Sequence, residues 1–443
     1  MENLKMPEAG LYAGFAKIDI TPAYQIGIGG YSNPESRRSE MVEEPIYTIC
    51  VALTDGDETI LLYTIDNCGI AHGFAEKIRG AVTPVTGIPG EKIFVAATHG
   101  HNCPSLGGYP EAEQYVADLL AACVKAAQVA LADRAKAELL AAKKRYFGLN
   151  FVRHAVLLDG TVVSPGKGAT KDNPAVGYVT DPDRTMMLLK FQREGAKKPI
   201  LLMNWQGHPD QARAIGFNSI CAGYPGPLRD VLGALSGCLV AYFTGADGNT
   251  SYESRVPTDK HGMTWREYAG HMARIANDLL AQLEPVEGTG IATKREMVEV
   301  EIDHSWDHML PQANEVFELW KATDKPTGDA LGKQYDFSSV YQARAIRSRA
   351  SMGKTTELEV NAFRVGGVGF TTGTYEMFSD AGIFVRDHSP YKYTFLLTGN
   401  SSYIPSAKSH DYRCYEADTG FYLKGTAEKL AEKYVEMLKE VKE

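Results

Sequence analysis

The chain has 443 residues, 44% hydrophobic and 23% charged, the composition of a globular protein that buries a full core without covalent staples. A net charge of −9 gives no broad basic field, which excludes nucleic acid and anionic membrane surfaces as expected partners. Seven scattered cysteines, never spaced Cys-x-x-Cys, argue against a disulfide framework or a thiolate zinc ribbon and point to a reducing, cytoplasmic setting.

The first eleven residues carry acids and a proline where a secretory peptide needs a basic start and an apolar run. No run of about 18 apolar residues follows, so no membrane span is expected. A strand over 14–20 stops at Pro22 and enters a loop rich in glycine. Runs 46–53 and 59–65 flank Asp55-Gly56 and read as a hairpin, because Asp-Gly supplies the positive φ that such a turn needs. A helix over 72–82 leads to a short buried strand, 93–97, and a long amphipathic helix is expected over 110–135. Hairpin-like units follow at 152–163, around Asp159-Gly160, and at 186–205, around Glu194-Gly195. Helices are expected at 225–235 and 265–283, with a buried strand at 239–243 between them and a half-exposed strand at 289–302 after them. Residues 304–352 read as helical with a break at 335–339; strands return at 358–365, 368–372 and 392–397, and 428–442 forms a terminal helix. There is no internal repeat, low-complexity tract or linker. The expected fold is α/β, with mixed β-sheets flanked by helices in a single large catalytic domain over 1–443.

Four polar stations share one pattern, a strand, then a loop of small residues, then a group able to bind a metal. They are His99 with His101, His208, Glu376 and Tyr403. Two imidazoles, a carboxylate and a further oxygen suit Zn²⁺, which lowers the pKa of bound water towards about 7 and polarises carbonyls. The plain alternative is a loop in which one imidazole caps a backbone group and the other faces water. His304 and His308, a helical turn apart, lack a matching acid and read as surface residues. Asp210 and Asp247 are both placed to orient a ligating imidazole, and spacing does not choose between them.

The run Thr98-His99-Gly100-His101-Asn102-Cys103-Pro104-Ser105-Leu106-Gly107-Gly108 resembles the His-x-His loop of the neutral ceramidases and their shorter bacterial relatives. Gly207-His208-Pro209, Gly248-Asn249-Thr250-Ser251, Thr372-Gly373-Thr374-Tyr375-Glu376, Tyr403-Ile404-Pro405 with Tyr415-Glu416, and the opening Ala16-Lys17-Ile18-Asp19-Ile20-Thr21-Pro22 resemble further family motifs in the same order. The resemblance implies a zinc ion held by His99, His208, Glu376 and Tyr403. It also implies an amide-binding site lined by His101, Arg153, Ser251 and Tyr415, with His101, Ser251 and Tyr415 on the catalytic side and Arg153 binding substrate. Cys103-Pro104-Ser105, Asn249 and Gly223 depart from the family pattern, on what would be the substrate side. The family's secreted members continue into a C-terminal immunoglobulin-like domain, which is not expected here.

The expected function is therefore a zinc-dependent hydrolase acting on an amide or related bond of a small, soluble, polar molecule, and not on membrane ceramide. A metal-dependent glycoside or ester hydrolase or lyase, and a non-catalytic binding protein on the same fold, remain open beside it. No nucleic-acid or membrane partner is expected, and a homo-oligomer is compatible with the sequence.

Overall fold

The computed structural model describes residues 9–31, 37–164, 169–399 and 401–442; residues 1–8 of the N-terminal stretch read above lie outside them. Strand alternation sets the layering. In Tyr47–Thr54, Ile49, Val51 and Leu53 enter one core while Cys50 and Ala52 enter another, and in Ile93–Ala97, Phe94 and Ala96 divide in the same way from Ile93, Val95 and Ala97. Apolar side chains on both faces mean that both faces are covered.

The larger sheet runs in the order Leu239–Thr244, Ile200–Trp205, Thr185–Arg193, Ala135–Arg145, Tyr12–Asp19, Tyr47–Thr54, Thr59–Ile65, Ile93–Ala97, with Glu284–Pro285 added on Ala135–Arg145. It is antiparallel except for its first and last pairs. A four-stranded sheet, Ile291–Glu301, Thr355–Val365, Val368–Gly373 and Tyr393–Thr398, packs against its inner face. Phe94 stacks on Phe363 at 4.1 Å between ring centres, Phe363 on Phe370 at 4.7 Å and Phe370 on Phe395 at 5.2 Å, so an aromatic column pins the two sheets together. Helices His72–Thr86 and Ala112–Ala132 cover one half of the outer face, Pro225–Ser236 and Trp265–Leu279 the other half. Ser379–His388 and Thr426–Glu440 cover the four-stranded sheet. The result is a helix–sheet–sheet–helix sandwich in one domain, the mixed α/β class expected.

Two expectations need correction. The helix read over 110–135 ends at Ala132, and Ala135–Arg145 is an eleven-residue strand that joins the two halves of the large sheet. Its sequence, Ala-Lys-Ala-Glu-Leu-Leu-Ala-Ala-Lys-Lys-Arg, has strong helix propensity, and burial of Ala137, Leu139 and Ala141 between flanking strands overrides it. Helix Ala112–Ala132 is also long and apolar enough, by length and composition, to cross a membrane. Its stripe of Leu119, Cys123, Ala126, Ala127 and Ala130 instead packs on the sheet. Elsewhere the expected elements are found within a few residues, including the helical break at Tyr335 and the Asp55-Gly56 turn, where Gly56 has φ 106°; a second break, at Thr323, was not expected.

The two parallel pairs stand at opposite ends of the strand order, yet the sheet curls until its ends meet. Thr64 donates to the carbonyl of Tyr242 at 2.7 Å, and Thr244 to that of Thr98 at 2.8 Å. The C-terminal ends of Thr59–Ile65, Ile93–Ala97, Ile200–Trp205 and Leu239–Thr244 therefore open into one space, although the chain reaches it from distant segments.

Candidate metal centre

His99 follows the strand Ile93–Ala97 with φ 67°, a left-handed conformation costly for any residue with a β-carbon. The surrounding packing holds it there. A Cβ on Gly100 would lie 2.7 Å from the carbonyl oxygen of Ala222, so glycine alone fits between the two histidines. Arg37 clasps the loop by donating to the carbonyls of Gly29 at 2.6 Å and His101 at 3.1 Å. Beneath it, Thr98 donates to Asp66, whose carboxylate is held by both terminal nitrogens of Arg229 at 2.6–2.7 Å. His208 leaves the strand Ile200–Trp205, its amide donating to Thr250 Oγ1. Glu376 begins a two-residue parallel ladder in which its register partner is Tyr403. The stations separated by up to three hundred residues in the sequence thus converge.

The Nε2 atoms of His99 and His208 lie 3.0 Å apart, those of His208 and His101 3.0 Å, and those of His101 and His99 3.3 Å. Glu376 Oε2 is 3.6 Å from His99 Nε2. All four side chains are buried. Hydrogen bonding at the far nitrogens assigns the tautomers. His99 Nδ1 faces the carbonyl of Cys68, which only accepts, and His208 Nδ1 faces the carbonyl of Asp247 at 3.3 Å and its carboxylate at 3.6 Å. Both therefore carry hydrogen at Nδ1, and their bare Nε2 lone pairs point at each other. His101 can place one proton among three nitrogens, so the cluster lacks positive charge. Glu376 Oε2 and both carboxylate oxygens of Asp247 are buried without a hydrogen-bond partner. Burial, and then Asp247, hold the Glu376 carboxyl well above the ordinary range; burial raises Asp247 to about 8. Burial also pushes all three imidazoles down; the neighbouring imidazoles add to it at His99 and His208, while at His101 Asp210 opposes it and Arg153 and Arg37 add to it. A divalent cation would answer each of these deficits. The nitrogen spacing is close to the roughly 3.3 Å edge of a tetrahedron of ligands about 2.0 Å from Zn²⁺.

Outside the histidine cluster, two groups of potential ligands among the described residues are already satisfied by protein. Glu359, beside His72 and Glu76, takes both terminal nitrogens of Arg79 at 2.6 Å and one of Arg295 at 2.8 Å. Glu416, beside His154 and Cys414, accepts from His154 Nε2 and Arg153 Nε, each at 2.8 Å. This second group forms the layer next to the histidines. Arg153 also donates to the carbonyl of Gly248 at 2.6 Å and to the Tyr403 hydroxyl at 3.3 Å, and the Tyr403 and Tyr415 rings meet edge to face at 6.3 Å. Burial would raise the Glu416 carboxyl, but His154 and Arg153 pull it to about 2, so it stays ionised and anchors the guanidinium. Burial, with Glu376 nearby, pushes the Tyr403 hydroxyl well above the ordinary tyrosine value.

The structure brings His99, His101, His208 and Glu376 into one cluster and Arg153, Tyr403 and Tyr415 into the adjoining layer. His101 Nε2 is as close to the other imidazoles as they are to each other, so geometry does not set it apart from the ligand pair. Ser251 stands at the margin, opposite Phe151 in a short ladder, with its hydroxyl accepting the amide of Glu253 at 3.2 Å, a local turn contact. The two aspartates lie beside different imidazoles, neither carboxylate within hydrogen-bond distance. Asp247 backs His208, while Asp210 lies 3.8 Å from His101 Nδ1 and accepts from Tyr31. His154 and Glu416 were assigned no role from sequence, and the adjacent basic pair Arg153-His154 was the available signal. His304 bonds Asp307 and the carbonyl of Gly353, and His308 is exposed, away from any metal-ligand group among the described residues.

The departures at Cys103 and Asn249 prove to be internal. Cys103 Sγ lies 3.4 Å from the carbonyl of Cys221, both residues buried, so these two loops pack on each other and do not face an open surface. Asn249 accepts from the amide of Ser379 at 2.9 Å and its hydroxyl at 3.0 Å, capping helix Ser379–His388, a task a neutral amide oxygen performs. All seven cysteines are free.

No protein-family model and no curated protein sequence matches this chain. Its fold superimposes on the crystal structure of neutral ceramidase from Pseudomonas aeruginosa with a TM-score of 0.73, covering 98% of this chain and 74% of that one at 16% identity. A ceramidase complexed with C2 gives a TM-score of 0.69 over 97% of this chain and 75% of the other, at 14% identity. The chain therefore has, across nearly its whole length, the fold of these ceramidases.

Proposed function

We propose that the protein is a metal-dependent hydrolase, zinc the ion, that cleaves a carboxamide bond in a small molecule. The observation that carries the proposal is the convergence of three imidazole nitrogens within 3.3 Å beside an unpartnered buried carboxylate. His99, His208 and Glu376, with Tyr403, would hold the ion, which when bound supplies a Lewis acid and activates water at neutral pH. The ceramidase activity named for the two structural neighbours supports an amide as the bond.

The chain's own groups divide the remaining work. His101, held low by burial and facing Asp210, is placed to take a proton and return it to the departing amine. Arg153, fixed by Glu416 and Gly248, sets the Tyr403 hydroxyl, and Tyr415 beside it offers a donor to the developing oxyanion. Backbone and buried partners lock these side chains in advance, which lowers the cost of reorganisation during the reaction. We place the substrate among short, polar amides of a reducing compartment, a reading supported by seven unpaired cysteines and by the net charge of −9.

Elemental analysis of purified protein, followed by a panel of short N-acyl compounds, long-chain ceramide, esters and glycosides, tests the reading. About one zinc per chain and turnover of N-acyl compounds are expected. No transition metal after growth with zinc, or activity confined to esters or glycosides, would discard it; efficient turnover of long-chain ceramide alone would discard the substrate class.

A further inference from the structure

The strand Ala135–Arg145 leaves the inter-sheet core as a line of positive charge. Ala137, Leu139 and Ala141 are buried between the sheets, and alternation places Lys143 and Arg145 next on the same face. Register sets Met187 opposite Lys143 and Thr185 opposite Arg145. A cavity of about 310 Å³ opens there, lined by these four residues together with Lys144, Arg386, Lys392 and Thr394 and by one carboxylate, that of Asp387. That volume is at the lower end of those that hold small ligands.

Its cations differ in how far they are committed. Arg386 donates to Asp183, to Asn204 Oδ1 at 2.6 Å and to Gln206 Oε1 at 3.2 Å, and Lys392 pairs with Glu284. Lys143 donates to the carbonyl of Lys392 at 2.6 Å, and Arg145 lies over the Phe147 ring at 5.7 Å. Neither Lys143 nor Arg145 has a carboxylate partner among the described residues. Burial, followed by repulsion from Arg386 and Lys392, holds Lys143 below the ordinary lysine value, and attraction from Asp387 offsets this only in part. Such crowding is unusual in a chain whose net charge is −9, and it stands apart from the histidine cluster, with which it shares no residue.

We propose that this cavity binds a phosphate-bearing small molecule, with Lys143 and Arg145 as its contacts. A guanidinium fork and a point-charged ammonium on one face match the three-cornered charge of a phosphate better than that of a planar carboxylate. Arg386 and Lys392 lend the field while keeping their own partners. The same chemistry is offered by a soluble phosphate compound and by a lipid headgroup.

Calorimetric titration of the full chain with pyrophosphate at low ionic strength, with matched sodium chloride as control, tests the proposal. Sedimentation with phosphatidylcholine vesicles, with and without phosphatidic acid, forms its second arm. One saturable pyrophosphate site per chain is expected, weakening as salt is added and at least about tenfold weaker in Lys143→Ala/Arg145→Ala. Binding of phosphatidic acid vesicles that depends on the same two residues would assign the phosphate to a headgroup. If the double variant fails to fold, Lys143→Gln and Arg145→Gln carry the test singly. Absence of binding by both probes up to about 10 mM, or binding that these substitutions leave unchanged, overturns the proposal.

Discussion

Replacing Glu376 with glutamine keeps the side-chain volume and removes the carboxylate that faces the three imidazoles. In the metal-free protein the change relieves a cost, because Oε2 is buried without a partner and 3.6 Å from the bare Nε2 of His99. Metal-free Glu376→Gln is therefore expected to equal the parent in stability or exceed it by up to about 1–2 kcal/mol. With metal the sign reverses, since an anionic oxygen is a far better ligand for Zn²⁺ than a carboxamide. A loss of about 100-fold in affinity is a modest estimate for a direct ligand, given that mutating mere supporting partners costs 10–100-fold. With free zinc at about 1,000 times the parent's Kd, binding stabilises the parent by about 4 kcal/mol and the variant by about 1.4 kcal/mol. A chain of 443 residues has an unfolding entropy of about 0.9 kcal/mol per kelvin, so zinc should raise Tm by about 4 °C in the parent and about 1.5 °C in the variant. Scanning calorimetry of both proteins, with chelator and with zinc, reads all four values. Equal zinc-induced shifts, or a metal-free variant melting several degrees below the parent, would refute the reasoning.

Metal content should fall below about a tenth of an equivalent in His99→Ala and His208→Ala. If His101 handles the proton, His101→Ala keeps zinc and loses about 100-fold or more in kcat; loss of zinc as well would make it a ligand. Glu416→Ala, which frees Arg153 and His154 from a carboxylate buried completely, is expected to lower kcat and to destabilise by about 3 kcal/mol or more, whereas Glu416→Gln, able to keep one hydrogen bond, should recover part of both; equal effects of the two substitutions would count against a positioning role. Burial would raise the Glu359 carboxyl, but Arg79, Asn361 and Arg295 bring it to about 2 from 4.5. Its folded-state value is depressed, so it contributes about 3 kcal/mol that is present above pH 4.5 and lost as pH falls towards 2. Denaturant unfolding followed from pH 6 to pH 3 should show this slope, and Arg79→Met should flatten it.

Much of the architecture was legible because strands and helices advertise themselves by period. Strands at 46–53, 59–65 and 93–97, and the terminal helix, needed only alternation, an Asp-Gly turn and an amphipathic stripe. The strand Ala135–Arg145 was not legible, since Ala, Leu, Lys and Glu favour a helix locally and only its neighbours in the sheet impose the extended form. The site divides in the same way. Strand ends carrying His99, His208, Glu376 and Tyr403 were visible as stations, while Asn249 and Cys103 looked like changes at a binding surface until their partners Ser379 and Cys221 were seen.

By itself the sequence determined which residues end strands, which faces are apolar and which side chains have the chemistry of metal ligands, because these depend on neighbours a few positions apart. Only the tertiary structure decided that the stations meet. The large sheet curls until Thr244 reaches Thr98, closing a gap of 146 residues along the chain, and a parallel ladder sets Glu376 beside Tyr403. The same closure set Asp247 beside His208 and Asp210 near His101, and left carboxylate oxygens and imidazole nitrogens facing one another without a counter-charge. Such deficits are properties of burial and distance between remote segments, quantities that no local pattern contains.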